Sequence, residues 1–226
     1  MTLQRHSLVW LSQDGWKRAM AELPADCRQD ADAWRRHDWP AVVRRPNDDA
    51  PANGAGRIAL GLSSSQVENH AGCRHKRIAL VASPDDVARS ALPLRLADAM
   101  ASAPDRWRSG LAELAGAGER AGITLRAFGS LAWQHLTGAT CMTARSDVDL
   151  LFHPASVRQL DEGLDLLHAH ASRLPLDGEI VFPNGDAVAW KEWRQARASS
   201  AGCRVLVKHL VGVRLVPAAS LLTLFS

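Results

Sequence analysis

Two short stretches of the chain carry residue types that could do chemistry together. The first is Phe128-Gly129-Ser130, where an apolar run ends and a helix-compatible run begins. Glycine lets the backbone come close to a ligand. The start of a helix leaves N–H groups free to bind an anion, and Ser130 adds a hydroxyl. The second is Ser146-Asp147-Val148-Asp149-Leu150-Leu151. On a strand, alternate residues share a face, so Asp147 and Asp149 point one way while Val148 and Leu150 point to the core. Two carboxylates held about 7 Å apart repel unless a positive group lies between them. Mg2+ is the natural guest, since it takes a few carboxylates and completes its shell with phosphate oxygens. An anion cradle beside such a pair suits phosphoryl or nucleotidyl transfer. Acids at two positions of a Val- and Leu-rich strand are costly without a partner, which favours a site over an accident of a solvated edge.

The elements that would hold these residues follow from the spacing around them. Ile123 to Phe128 reads as a strand, Gly129 to Leu136 as a helix, and Ser146 to Phe152 as a second strand. Asp105 to Arg120 is helical, with Trp107, Leu111 and Leu114 on one side. Ser156 to Arg173 is an amphipathic helix. Glu179 to Phe182 and Ala187 to Trp190 flank Pro183-Asn184-Gly185-Asp186, a strong hairpin signal, and Arg204 to Lys208 is a further strand. The first 90 residues have their own pattern. Ser7 to Leu11, Trp39 to Arg45, Arg57 to Leu62 and Arg77 to Ala82 read as strands, and Asp14 to Leu23 as a helix. Asn47 to Gly56 has loop composition, and Ser83-Pro84-Asp85-Asp86 reads as a helix start. The fold class expected is α+β, with a unit over residues 1–90 and a second over 91–226.

Composition narrows the function. The chain has 226 residues, 46% hydrophobic and 23% charged, the make-up of an ordinary globular protein. The 27 basic and 24 acidic residues are spread evenly, which argues against a nucleic-acid binder that works by charge. No stretch is apolar enough for a membrane span, and the first residues lack a secretory pattern. Cys27, Cys73, Cys141 and Cys203 are far apart and form no CxxC pair, so neither a disulfide framework nor a zinc knuckle is expected. A cytoplasmic protein fits these features. There are 8 Trp and no Tyr, so no tyrosine can serve as a base.

The Gly-Ser helix start followed by an Asp-x-Asp strand resembles the polymerase-beta-like nucleotidyltransferase superfamily. The longer string GSLAWQHLTG, SDVDLL, DGEIVFPNGDAVAWKEW and VLVKHL is similar to the malonate decarboxylase holo-acyl-carrier-protein synthases. These are the phosphoribosyl-dephospho-CoA transferases of the malonate decarboxylase system. HSLVWL, WPAVVRRP, IALGL and ALPLRLADAM extend the similarity over the N-terminal half. The resemblance implies a nucleotidyltransferase-like mixed sheet flanked by helices in residues 91–226. It implies triphosphoribosyl-dephospho-CoA as donor, a serine of the malonate decarboxylase acyl-carrier subunit as acceptor, and pyrophosphate as leaving group.

Under that reading Asp147 and Asp149 hold Mg2+, and Gly129 and Ser130 hold phosphate. Superfamily members often place a third acid on a neighbouring strand. Asp177 and Glu179 both qualify, and Glu179 is preferred because it lies nearer the apolar run Ile180-Val181-Phe182. Arg45, Lys191 and Lys208 are the candidate phosphate-binding cations, although a surface cation is commoner than a ligand. Only one of Arg44 and Arg45 can enter a site directly, since neighbours on a strand face opposite ways. Two other readings use the same motifs: another Mg2+-dependent nucleotidyltransferase acting on a small molecule or protein, and a non-catalytic nucleotide-binding module.

Overall fold

The computed structural model describes residues 3–46, 56–66, 74–199 and 202–225. It divides into two compact units between Pro93 and Leu94, with Leu210–Gly212 grouping with the first. The fold is α+β, with two sheets.

The N-terminal unit is built on a five-stranded sheet. Its strands are β1 (Leu8–Leu11), β2 (Ala41–Val43), β3 (Ile58–Gln66), β4 (Arg74–Ala82) and β5 (Val87–Ala91), in the order β4-β3-β2-β1-β5. Helices α1 (Gln13–Ala21) and α2 (Ala25–Arg36) follow β1. The Ser12 hydroxyl caps α1 by accepting from Gly15 N–H at 3.0 Å. Helix α2 has no counterpart among the elements expected from the sequence, although Cys27, Ala31 and Trp34 are spaced for one buried face. The loop expected over Asn47 to Gly56 lies, but for Gly56, outside the described residues.

Ser83 to Asp86 starts a helix as expected, with Ser83 at the N-cap, Pro84 at its beginning and both acids in the first turn, but the helix is short. Only one 3-10 turn forms, Pro84–Asp86, and β5 then pairs with β1. Asp86 also acts as an anchor. Its carboxylate accepts from Ser83 N–H at 2.7 Å and from Arg18, and its carbonyl accepts from Ser12 N–H at 2.8 Å. The Ser83 hydrogen bond, with Arg18 adding to it, holds the Asp86 carboxyl below the usual range against the opposing effect of burial. A lowered folded pKa contributes stability above the unfolded value of about 3.9, and that contribution fades as pH falls through the folded value. Chemical denaturation should therefore show the advantage of wild type over Asp86→Asn at pH 6 shrinking steadily below pH 4. A difference that stays constant with pH would contradict this role.

The C-terminal unit holds a seven-stranded mixed sheet. Its strands are β6 (Leu94–Arg95), β7 (Leu125–Ala127), β8 (Val148–Phe152), β9 (Leu176–Val181), β10 (Ala187–Ala189), β11 (Arg204–His209) and β12 (Gly212–Pro217). They lie in the order β12-β11-β10-β9-β8-β7-β6. β8 and β9 run parallel, joined by a helical crossover, while β7 and β10 flank them antiparallel. The helices are α3 (Leu96–Ala99), α4 (Asp105–Arg120), α5 (Gly129–Thr137), α6 (Val157–His170), α7 (Trp190–Ala198) and α8 (Ala218–Leu222). The periodicity of Trp107, Leu111 and Leu114 gives α4 its buried face. That face joins Leu160, Leu164 and Leu167 of α6 over Val148, Leu150, Phe152 and Ile180 in the main core. Gly163 of α6 leaves room for the ring of Phe152, which a methyl group would strike.

The Asn184-Gly185 signal does form the β9–β10 hairpin. Asn184 Oδ1 accepts from Asp186 N–H at 3.0 Å, Phe182 N–H bonds Asp186 O at 2.7 Å, and Gly185 takes φ +85°. Trp190 begins α7 rather than ending β10, and Trp190 and Trp193 are both core residues. Among the described residues, no helix is long and apolar enough to cross a membrane.

Candidate functional site

The site is assembled where β7 ends and β8 begins. Ala127 closes β7, and Phe128 stays extended, its N–H donating to Asp149 O at 3.0 Å. That bond adds one rung to the β7–β8 pairing and brings the next residue alongside Asp149. The next residue is Gly129, the first of α5. It has φ +65°, and a Cβ there would overlap the Asp149 carboxylate. Glycine is therefore required twice at this position, by the backbone angle and by the closeness of Asp149. No side chain caps α5. The first N–H groups of that helix, including those of Gly129 and Ser130, are thus available to an anion within reach of the carboxylate.

Asp149 is half-buried and Asp147 exposed, while Val148 and Leu150 between and beyond them are buried. The alternation expected from the sequence holds, although Asp147 precedes the strand rather than lying in it. The loop that delivers Asp147 is fixed by contacts that the sequence does not advertise. Gln134 Oε1 accepts from Cys141 N–H and Met142 N–H, both at 2.9 Å, and its amide donates to Ser102 O. Thr143 N–H donates to Ser146 Oγ at 2.9 Å, closing the turn just before Asp147. Gln134 is a positioning residue with no signal in the sequence, because its partners come from a loop and another segment of the fold.

The register across β8 and β9 sorts the candidate acids. Asp177 is the ladder partner of Asp149, and Glu179 is the partner of Leu151. Asp177 is half-exposed, with Lys191 Nζ at 3.6 Å. Glu179 is buried and accepts from Lys208 Nζ at 2.9 Å. Lys208 arrives because β11 pairs with β10, where it faces Ala187. The same face carries a small apolar floor of Leu151, Val181 and Ala187 with Phe128 packed on it, separate from the main core. Arg45 is exposed in the N-terminal unit. Its neighbour Arg44 is the half-buried one, donating to Leu60 O at 3.0 Å.

The Glu179–Lys208 pair has a testable energetic consequence. Removing the cation takes a charged partner from a buried carboxylate, a change that costs at most about 3–5 kcal/mol. Lys208 keeps 35% side-chain exposure, so Lys208→Met should cost about 2–3 kcal/mol. Glu179→Gln, which keeps shape and an acceptor, should cost less. Urea unfolding of both variants checks this, and equal losses would contradict the pairing.

Among the described residues, no three His, Cys, Asp or Glu side chains gather to form a closed metal cage. Mg2+ does not need one, because it is commonly held by one or two carboxylates with phosphate oxygens completing its shell. Asp147 and Asp149, spaced two residues apart beside an anion-binding helix start, fit that pattern.

An uncapped helix N-terminus against paired carboxylates, on an α+β sheet, is a site class suited to a phosphate ligand and a divalent cation. Residues 4–93 match the family described as the phosphoribosyl-dephospho-CoA transferase MdcG N-terminal domain. Residues 95–219 match that described as the MdcG C-terminal domain. A phosphoribosyl-dephospho-CoA transferase of Xanthomonas campestris pv. campestris is 35% identical over 219 residues, covering 96% of this chain and 95% of the relative. One of Bradyrhizobium diazoefficiens is 38% identical over 192 residues, covering 83% and 80%. One of Pseudomonas putida is 30% identical over 204 residues, covering 89% and 90%. The chain belongs to the phosphoribosyl-dephospho-CoA transferase family. No solved structure gives a significant match.

Proposed function

We propose that the protein transfers the phosphoribosyl-dephospho-CoA group from its triphosphate donor to a serine of the malonate decarboxylase acyl-carrier subunit. The observation that carries this reading is the contact of the free α5 N-terminus with the Asp149 carboxylate through Gly129. Two families of group, phosphate-binding N–H donors and cation-binding carboxylates, meet there within one residue. Membership of the transferase family supplies the donor group.

In this mechanism the serine Oγ forms a bond to the α-phosphorus of the donor. The bond from that phosphorus to the β-phosphate oxygen breaks, and its electron pair leaves with pyrophosphate. The serine proton passes to a carboxylate of the face. Asp177, beside Asp149 in the ladder and half-exposed, is the better placed acceptor of the two acids. Glu179 belongs to the site through Lys208, whose charge it fixes on the face. Gly129 N–H and Ser130 hold the outer phosphates. Asp147 and Asp149 would hold Mg2+, which when bound neutralises charge on the phosphates. Lys191, at the start of α7 beside Asp177, is a secondary phosphate contact in this proposal.

The test is direct. Labelled triphosphoribosyl-dephospho-CoA, Mg2+ and the acyl-carrier subunit should yield a labelled protein that survives denaturation. No labelled protein, with a folded enzyme and intact donor, would overturn the reading.

A further inference from the structure

The ladder of the C-terminal sheet brings to the acidic face a cation that no motif in the sequence marks. Arg126 is the middle residue of β7, between the buried Leu125 and Ala127. Alternation turns its side chain away from the main core. Its ladder partner on β8 is Leu151, which belongs to the apolar floor described above and lies two residues from Asp149. Arg126 and Asp149 are therefore diagonal neighbours on one face, about 7–8 Å apart at the backbone, within reach of a long side chain. Arg126 also precedes Phe128 by two residues, so the strand that presents it leads into the open N-terminus of α5.

The charges around Arg126 are informative. On the other side its ladder partner is Arg95, so two guanidinium groups are set opposite each other across β6 and β7. Like charges directly opposite each other are unfavourable, and the acids Glu119 and Asp98 lie near this pair. Arg95 makes an ion pair with Glu119 at 3.1 Å. Arg126 is the member on the strand adjoining the carboxylates. Partial burial, with Arg95 adding to it and Asp98 opposing, keeps its pKa below the ordinary arginine value, yet a guanidinium stays charged in proteins. A half-buried planar cation beside an acidic corner is suited to an oxyanion that also touches a metal held there, because two parallel N–H donors match phosphate geometry.

We propose that Arg126 is a phosphate-binding residue of this face, holding the outer phosphates of the polyphosphate ligand opposite the Asp147–Asp149 pair. This rests on the transferase reading and adds a specificity element to it. The negative charge of the carboxylates repels polyphosphate, and Arg126 offsets that repulsion from the β7 side. It would also stabilise the charge that builds on departing pyrophosphate.

The experiment measures binding of inorganic tripolyphosphate with Mg2+ to the full chain by calorimetry, for wild type, Arg126→Met and Arg126→Lys. Loss of a charge-assisted bidentate contact should weaken binding about tenfold to a hundredfold in Arg126→Met. Arg126→Lys should fall between, since it keeps the charge and loses the fork. The lysine variant keeps a long stem and the charge at this position, so it guards against a methionine variant that fails to fold. Affinities within twofold of wild type in a folded variant of either kind would overturn the assignment. Transfer to the carrier subunit is measured in parallel with wild type alone. Failure of wild type to transfer overturns the transferase reading whatever the Arg126 variants do. Transfer by wild type, with unchanged tripolyphosphate affinity in the variants, overturns the Arg126 proposal alone.

Discussion

Replacing Asp149 by Asn is expected to lower transfer about a thousandfold or more while leaving the fold intact. Asparagine has the shape of aspartate, so it fits against Gly129 as the carboxylate does. What it lacks is the charge that holds a divalent cation and so offsets charge on the phosphates. The stability effect should run the other way. Asp147, Asp149 and its ladder partner Asp177 crowd one corner of the sheet. Without metal, removing one of three like charges relieves repulsion. Thermal unfolding in chelator should show Asp149→Asn at or above the wild-type midpoint. Loss of turnover with an equal or raised midpoint marks a residue kept for function rather than for folding. Retained in-cell function in this variant, or in Asp147→Asn, would favour the non-catalytic nucleotide-binding reading.

Gly129→Ala is the second large effect. The new methyl group would overlap the Asp149 carboxylate, and φ +65° is a left-handed angle that alanine adopts at a cost of about 1–2 kcal/mol. Either the carboxylate swings away or the start of α5 shifts, and both spoil the meeting of helix N-terminus and acid. Turnover should fall by about a hundredfold or more, since misplacement by an ångström can cost that much. Gly138 supplies the control. It ends α5 at φ +71°, with nothing within 4 Å of a Cβ built there. Gly138→Ala should share the backbone cost and keep near wild-type turnover. Equal activity losses in the two variants would mean that Gly129 matters only for the helix, not for the contact with Asp149.

Much of the C-terminal unit was legible because its signals are local. Helix α4 spans Asp105–Arg120 as the spacing of Trp107, Leu111 and Leu114 requires, and Asn184-Gly185 makes the hairpin it announces. The Gly-Ser start of α5 and the facing of Asp147 and Asp149 against Val148 and Leu150 follow from period alone. What was not legible depends on pairing between distant segments. Glu179 looks like the acid nearest the core, and it is, but the ladder puts Asp177 beside Asp149 and gives Glu179 to Lys208. Arg126 sits inside a three-residue strand whose facing is decided by Leu151, which no spacing in the sequence reveals. Ser83-Pro84-Asp85-Asp86 has the residues of a helix start and does start one, but pairing of the following segment with β1 ends it after a single 3-10 turn. Helix α2 went unread because it is polar, with only one stripe of buried residues.

Under the proposed function this chain moves the whole phosphoribosyl-dephospho-CoA unit onto a carrier serine and releases the outer two phosphates together. The most direct measurement follows both products in one reaction with Mg2+, by intact mass of the carrier subunit and by enzymatic assay of pyrophosphate. One pyrophosphate is expected for each carrier subunit modified, with both products nearly abolished in Asp149→Asn. Pyrophosphate without a modified carrier, or a modified carrier that releases only orthophosphate, would contradict it.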